Sequence, residues 1–192
     1  MTRKVLGILG SPCIDGNSSA LLDAVLEGAR STGAEVERLN VTELNIHPCD
    51  ACGKCDSEAG CRRFKDDMTP LYSKLRQVDA LVLSSPIYFM GVSSQLKAFI
   101  DRCQCFWAEK YLLGKRAYEG RRRPKGFFIA CAGSDKRSVF EPSLHTVRSL
   151  FQALDYEYSG EVLLGDTDSP EIDDMRAAAL KQAYEAGRGL CK

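Results

Sequence analysis

The chain has 192 residues, is 44% hydrophobic and carries 26 acidic and 26 basic residues. That length and apolar content suffice for one well-cored domain over residues 1–192 and exclude a disordered chain or a repeat array, while zero net charge supplies no global field to recruit nucleic acid or anionic lipid. No apolar stretch reaches the roughly 18 residues of a membrane span, and nine cysteines, an odd number with four clustered, suit a reducing compartment better than a disulfide framework; a cytoplasmic protein with no nucleic-acid or membrane partner is expected.

Positive charges precede a short apolar run at residues 1–10, but the run ends in Gly10-Ser11-Pro12 without a cleavage-type site, so it predicts a first strand rather than a signal peptide. Val5 to Leu9 suits a buried parallel strand ending in a turn. Ser18 then opens a helix, with Leu21, Leu22, Val25, Leu26 and Ala29 at helical spacing and Gly33 as its C-cap. Residues 35–41 alternate as a second strand, and Asp66-Asp67 place negative charge at the start of a helix reaching about Gln77. Further strands are predicted over 80–84, 126–131 and 160–164, and further helices over 94–105, 139–154 and 172–190. Strands alternating with helices imply an α/β three-layer sandwich with right-handed crossovers. Five strands at this length suggest a flavodoxin-like parallel sheet of order 2-1-3-4-5, whose ligands sit outside the carboxyl ends of the strands, beside the switch point between strands one and three.

Cys49, Cys52, Cys55 and Cys61 follow the spacing C-x2-C-x2-C-x5-C on the loop after strand two, within residues 47–66. Three thiolates at intervals of three residues can curl one short loop around a polynuclear cluster, with the fourth closing it from a distance, nearly as bacterial ferredoxins open their motif. A compact four-thiolate zinc loop, or unmetallated thiols that merely pack, are the alternatives. Asp50, Asp56 and Glu58 lie among these cysteines; they would bias a cluster toward lower potential or stand as solvated loop charges. Cys13, Cys103, Cys105, Cys131 and Cys191 receive no role, and His47 and His145 are read as ordinary polar residues.

The loop Gly10 to Ser19 joins a strand to a helix. Its hydroxyls, the Asn17 amide and its backbone N–H groups can surround a phosphate at the helix N-terminus. It is neither a G-x-G-x-x-G turn nor a P-loop; the plainer alternative is that Asn17 or Ser18 only caps the helix. Cys13 followed by Ser18 and Ser19 is similar to the nucleophile loop of low-molecular-weight tyrosine phosphatases, but positions 14–19 lack the Arg that phosphoryl chemistry requires. A receiver domain is excluded too, because strands one and three end in Gly10-Ser11 and Ser84-Ser85 rather than acids. Residues 84–91 end strand three with a rigid Pro, two aromatics and a Gly. A flat ring can lie on that surface; the alternative packs Tyr88 and Phe89 into a core. Lys97, Asp101 and Arg102 read as a solvated or subunit-facing edge.

Gly10-Ser11-Pro12 with Gly16-Asn17-Ser18, then Pro86-Ile87-Tyr88, then residues 95–102 together resemble the NAD(P)H-dependent FMN reductase family of flavodoxin-like proteins, over about residues 3–165. Adding Cys49, Cys52, Cys55 and Cys61 narrows the resemblance to the iron–sulfur flavoproteins. It implies FMN, with phosphate contacts at Ser11, Pro12, Asn17, Ser18 and Ser19. Ring contacts fall at Pro86, Ile87, Tyr88, Phe89 and Gly91, bordered by Gly133 and Ser134. It further implies a [4Fe–4S] cluster on the four cysteines. One departure is that relatives commonly place Arg or Lys soon after Ser-Pro, whereas Cys13-Ile14-Asp15 follows here, removing a charge-assisted phosphate contact.

The preferred expectation is an electron adaptor passing electrons between a one-electron carrier such as ferredoxin and FMN, without catalytic side chains of its own. The competing enzyme is an NAD(P)H-dependent FMN, quinone or azo-type reductase with idle cysteines. A third class is a non-enzymatic metal or redox sensor. A homodimer or homotetramer is expected, in which Trp107 and Tyr111 either reach a neighbouring flavin or pack as core or interface residues. The basic stretch Lys110, Lys115, Arg116, Arg121, Arg122 and Arg123, offset by Glu109 and Glu119, reads as a solvated loop, with docking of an acidic carrier or a subunit contact as the alternative.

Overall fold

The structure is a computed structural model that describes residues 2–115, 117–118, 120 and 122–192. Its strands are β1 (Lys4–Leu9), β2 (Glu35–Asn40), β3 (Ala80–Tyr88), β4 (Gly91–Val92), β5 (Lys125–Cys131) and β6 (Glu157–Leu164). The helices are α1 (Asn17–Arg30), α2 (Met68–Leu75), α3 (Ser94–Arg102), α4 (Gln104–Tyr111), α5 (Arg137–Ala153) and α6 (Ile172–Leu190). Five strands run parallel in the order β2-β1-β3-β5-β6, the flavodoxin-like order expected; two-residue β4, not anticipated, pairs antiparallel with the end of β3.

Alternation along each strand supplies two cores. Leu6, Ile8, Leu81, Leu83 and Phe128 face the layer containing α3 and α5, where Phe99, Leu144 and Phe151 are buried. Val5, Leu9, Val82 and Ile129 face the opposite layer, against Leu21, Leu22 and Val25 of α1 and Ala183 of α6. The α1–α6 contact depends on missing side chains: a Cβ on Gly28 would lie 2.0 Å from the Tyr184 carbonyl oxygen, and one on Gly187 1.9 Å from that of Val25.

Three departures from the sequence reading bear on function. The helix expected over 94–105 is two helices broken at Cys103, and α4 continues to Tyr111. Strand β6 begins at Glu157, ahead of an irregular register opposite Gly126 and Phe128. Strand β3 continues past Ser84, where its partner β1 ends at Leu9, and pairs Pro86 with Cys131 of β5. A proline is tolerated there because the ladder has a neighbour on one side only. No described helix is long and apolar enough to cross a membrane.

Candidate functional site

The loops after β1 and β3 meet at the switch point. The Gly10 N–H donates to the Ser84 carbonyl at 2.7 Å, the Ser93 hydroxyl donates to the Gly10 carbonyl, and the Ser84 hydroxyl donates to the Ser18 carbonyl at 2.7 Å. Ser93 also caps α3 by accepting from the Leu96 N–H. Helix α1 starts from an extended Gly16, with neither a side-chain cap nor an acidic residue in its first turn. The plainer alternative, that Asn17 or Ser18 only caps this helix, is therefore not met, and the positive end of the helix carries no side-chain cap. Ser11, Ser18 and Ser19 are buried, Asn17 is half-buried and Pro12 exposed.

A cation missed by the sequence reading lies nearby: Arg38 of β2 donates to the Ser19 hydroxyl at 2.7 Å and pairs with Asp23 at 3.0 Å.

Beyond Pro86 and Ile87, β3 and β4 form a hairpin whose two turn residues, Phe89 and Met90, have φ of +50° and +66°. Such a primed turn favours Asn-Gly, and bulky residues are held in it at a cost. The Met90 carbonyl is fixed by the Ser143 hydroxyl at 2.9 Å. Phe89 is fully exposed and Tyr88 is 51% exposed, which overturns the alternative that these rings pack into the core. Gly91 is half-buried in β4. Gly133 and Ser134 follow β5, with the Asp168 carboxylate against Gly133, where a Cβ would come within 2.6 Å of its oxygen.

The cysteine segment is a loop pinched at its neck. The Asn45 N–H donates to the Asp67 carboxylate at 2.7 Å and the His47 N–H to Asp66 at 3.0 Å, while the Asp67 N–H donates to the Asn45 carbonyl. Across the neck lies Arg102, only 2% exposed. Its guanidinium forms a two-pronged pair with Asp66 and donates to the His47 carbonyl at 2.8 Å. Phe64 stacks on the His47 ring, with centroids 4.0 Å apart, and the Arg102 guanidinium lies 4.9 Å from its centroid. Arg102 is thus not the exposed edge residue that the sequence suggested, whereas Lys97 and Asp101 are, paired with each other at 2.7 Å.

Cys49, Cys52, Cys55 and Cys61 line one cavity of about 380 Å³, together with Arg102 and Cys105. Among the described residues no group of three or more His, Cys, Asp or Glu gathers closely enough to hold a metal ion. Mononuclear zinc needs its thiolates drawn to about 3.8 Å of one another, from Zn–S bonds of about 2.3 Å in a tetrahedron; a cluster needs a wider cage. Burial pushes the Cys55 thiol up. Burial acts on Cys61 too, but the Arg63 backbone, Tyr72 and Arg102 outweigh it and hold that thiol below its usual value. Burial raises Cys105 to about 12.

Of the acids among the cysteines, Asp50 pairs with Arg63 at 2.6 Å and Glu58 with Arg62 at 3.0 Å, while the Asp56 carboxylate lies 3.9 Å from the Cys55 sulfur. In the basic stretch, Lys110 and Arg123 bind Asp155 at 3.1 and 3.5 Å; Arg116, Glu119 and Arg121 lie outside the described residues. Trp107 is 38% and Tyr111 46% exposed, which leaves them outside the core.

The profile of the family described as NADPH-dependent FMN reductase matches residues 3–159. An iron-sulfur flavoprotein of Archaeoglobus fulgidus is 39% identical over 190 residues, 95% of this chain and 81% of that one. An iron-sulfur flavoprotein of Methanocaldococcus jannaschii is 37% identical over 99 residues, about half of either chain (52% and 51%). Among solved structures, an NAD(P)H:quinone oxidoreductase from Methanothermobacter marburgensis shares the fold with a TM-score of 0.74 and 19% identity, covering 99% of this chain and 98% of that one. The sequence match over most of the chain leads to one assignment: the chain belongs to the NADPH-dependent FMN reductase family of flavin-dependent oxidoreductases, and its relatives include proteins described as iron–sulfur flavoproteins.

Proposed function

We propose that this chain is an electron adaptor that binds FMN at the switch point and a [4Fe–4S] cluster in the cysteine cavity, within a single FMN-binding domain. The observation that carries the reading is the placement of α3. Its N-cap Ser93 is bonded to Gly10 in the phosphate loop, and its last residue, Arg102, lines the cysteine cavity. Nine helical residues span about 13 Å, so one short rigid element links the two sites. FMN exchanges one or two electrons and a cluster one, so the pair would connect a one-electron carrier such as ferredoxin to two-electron chemistry.

The chain's own residues bind and orient. The uncapped start of α1, with Ser11, Asn17, Ser18 and Ser19, offers N–H and O–H donors to the phosphate, and Arg38 lies beside Ser19 with its charge shared with Asp23. Pro86, Ile87, Tyr88, Phe89 and Gly91 offer the ring a surface, bordered by Gly133 and Ser134. Cys49, Cys52, Cys55 and Cys61, which share one cavity, hold the cluster. With Asp50 and Glu58 paired to arginines, their charges bias its potential little.

A second reading, an NAD(P)H-dependent FMN, quinone or azo-type reductase with an idle cysteine loop, is favoured by the family description and by the quinone oxidoreductase of like fold. Stopped-flow reduction separates the two. The adaptor reading expects FMN in cluster-loaded protein to be reduced rapidly by reduced ferredoxin and slowly by NAD(P)H. Steady NAD(P)H oxidation by iron-free, FMN-loaded protein, without response to ferredoxin, would establish the reductase instead. The homodimer or homotetramer remains part of the proposal, with the exposed Tyr88, Phe89 and Met90 available for burial between subunits.

A further inference from the structure

Arg102 is the largest fully buried side chain among the described residues. Its Nη atoms are taken by Asp66 and the His47 carbonyl. Its Nε is the only buried side-chain nitrogen or oxygen among the described residues without a hydrogen-bond partner. A buried N–H is rarely left unpaired, because it forfeits water and gains nothing in return. This one belongs to a side chain in the wall of the cysteine cavity, which it shares with Cys55, Cys61 and Cys105 as well as Asp101 and Gln104.

The rest of Arg102 is fixed. Asp66 holds the planar fork, Phe64 lies against it, and Tyr72 donates to the Arg102 carbonyl at 3.2 Å. The donor therefore cannot swing away to water. A lysine could keep the charge opposite Asp66 but not a fixed second donor on another edge of a planar group.

We propose that Arg102 is a positioning residue of the cysteine cavity, whose Nε–H donates to a sulfur held there, the Cys61 thiolate or a bridging sulfide. The inference rests on the cluster reading above. A fixed donor stabilises the more negative state of its acceptor, so the reduced form of a bound cluster is favoured and its potential raised. No proton moves; the electron comes from a low-potential one-electron donor, dithionite with mediators in the experiment below.

Full-length wild-type, Arg102→Gln, Arg102→Lys and Asp66→Asn proteins are purified anaerobically and titrated potentiometrically, reading the EPR signal of the reduced cluster and measuring iron, sulfide and FMN. At the wild-type midpoint the reduced-to-oxidised ratio is expected to fall about tenfold in the glutamine protein, equivalent to about 59 mV for one electron. The fall should be smaller in the lysine protein. Asp66→Asn keeps the donor and removes a negative charge, so it should move the ratio the opposite way. Wild-type midpoints in both Arg102 proteins would overturn the inference and leave the cluster reading standing, as would an Asp66→Asn shift in the same direction as theirs. Arg102 proteins that bind FMN but lose iron that Asp66→Asn retains would support it, whereas iron loss from all three would reduce Arg102 to a brace of the neck and overturn it. Wild-type protein without iron or sulfide overturns the cluster reading itself, and the inference with it.

Discussion

Removing the Asp66 carboxylate should destabilise the apoprotein more than any other change in the loop neck. The side chain is 8% exposed and receives both Arg102 Nη groups and the N–H groups of His47 and Met68, the latter two at 3.0 and 3.2 Å. Asp66→Ala strands a guanidinium that is 2% exposed, and breaking one half of a buried pair costs about 3–5 kcal/mol. At about 2–4 °C per kcal/mol for a chain of this size, the melting temperature should drop by about 6–20 °C. Equilibrium urea unfolding of the metal-free protein measures the loss directly. Arg102→Met in the same chain removes the stranded charge, so the double variant should recover much of the loss, to within about 2 kcal/mol of wild type.

The effect should also depend on pH with a definite sign. Burial pushes the Asp66 carboxyl up, but Arg102 and the His47 and Met68 N–H groups outweigh it and hold it below the ordinary 3.8. A depressed carboxyl contributes fully above its unfolded value and loses that contribution as pH falls through its folded one. The gap between wild type and Asp66→Ala should therefore be constant from about pH 7 to 5 and narrow below about pH 4. A loss under about 1 kcal/mol, or a double variant less stable than Asp66→Ala, would refute the claim that this pair closes the neck.

Asn17→Asp should separate phosphate binding from helix stability: a negative charge at the start of α1 favours the helix by a few tenths of a kcal/mol but repels the phosphate, so FMN affinity by fluorescence titration should weaken at least about tenfold while the apoprotein melts no lower. Replacing Phe89-Met90 by Asn-Gly relieves two left-handed residues and should stabilise the apoprotein by about 1–2 kcal/mol while weakening FMN; a lower melting temperature would show that the hairpin is not strained. Gly187→Ala places a methyl within 1.9 Å of the Val25 carbonyl oxygen and should cost at least about 2 kcal/mol by forcing α1 from α6, a loss that differential scanning calorimetry would register or exclude.

The parallel sheet was legible because apolar or alternating runs are set between helical repeats, and five strands at this length suggested the 2-1-3-4-5 order. The terminal helix falls on residues 172–190 as expected. What escaped depended on tertiary partners. Strand β3 runs on to Tyr88 because β5 still pairs with it after β1 has ended, a fact no local propensity carries. The break at Cys103 between α3 and α4 lies inside a continuous helical pattern with neither Gly nor Pro to mark it.

At the site, the loops that meet at the switch point were marked by Gly, Pro and Ser, whereas the residues closing the cysteine neck were not. Asp66 looked like a helix-start charge and does bond the Met68 N–H of α2, yet its main partner is Arg102, 36 residues away. Arg102 itself looked like a surface charge beside Lys97 and Asp101. The available signal was its position three residues after buried Phe99, on the margin of the buried face of α3. A margin becomes interior only when a loop from elsewhere in the chain folds over it.

The most direct test of the account is the cofactor content of anaerobically purified full-length protein, with iron, acid-labile sulfide, zinc and FMN measured on one sample and EPR recorded after reduction. The account predicts FMN with about four iron and four sulfide per chain, negligible zinc, and the signal of a reduced [4Fe–4S] cluster on the four thiolates. FMN with no iron or sulfide, even after anaerobic reconstitution, would contradict the electron-adaptor function while leaving the FMN fold in place.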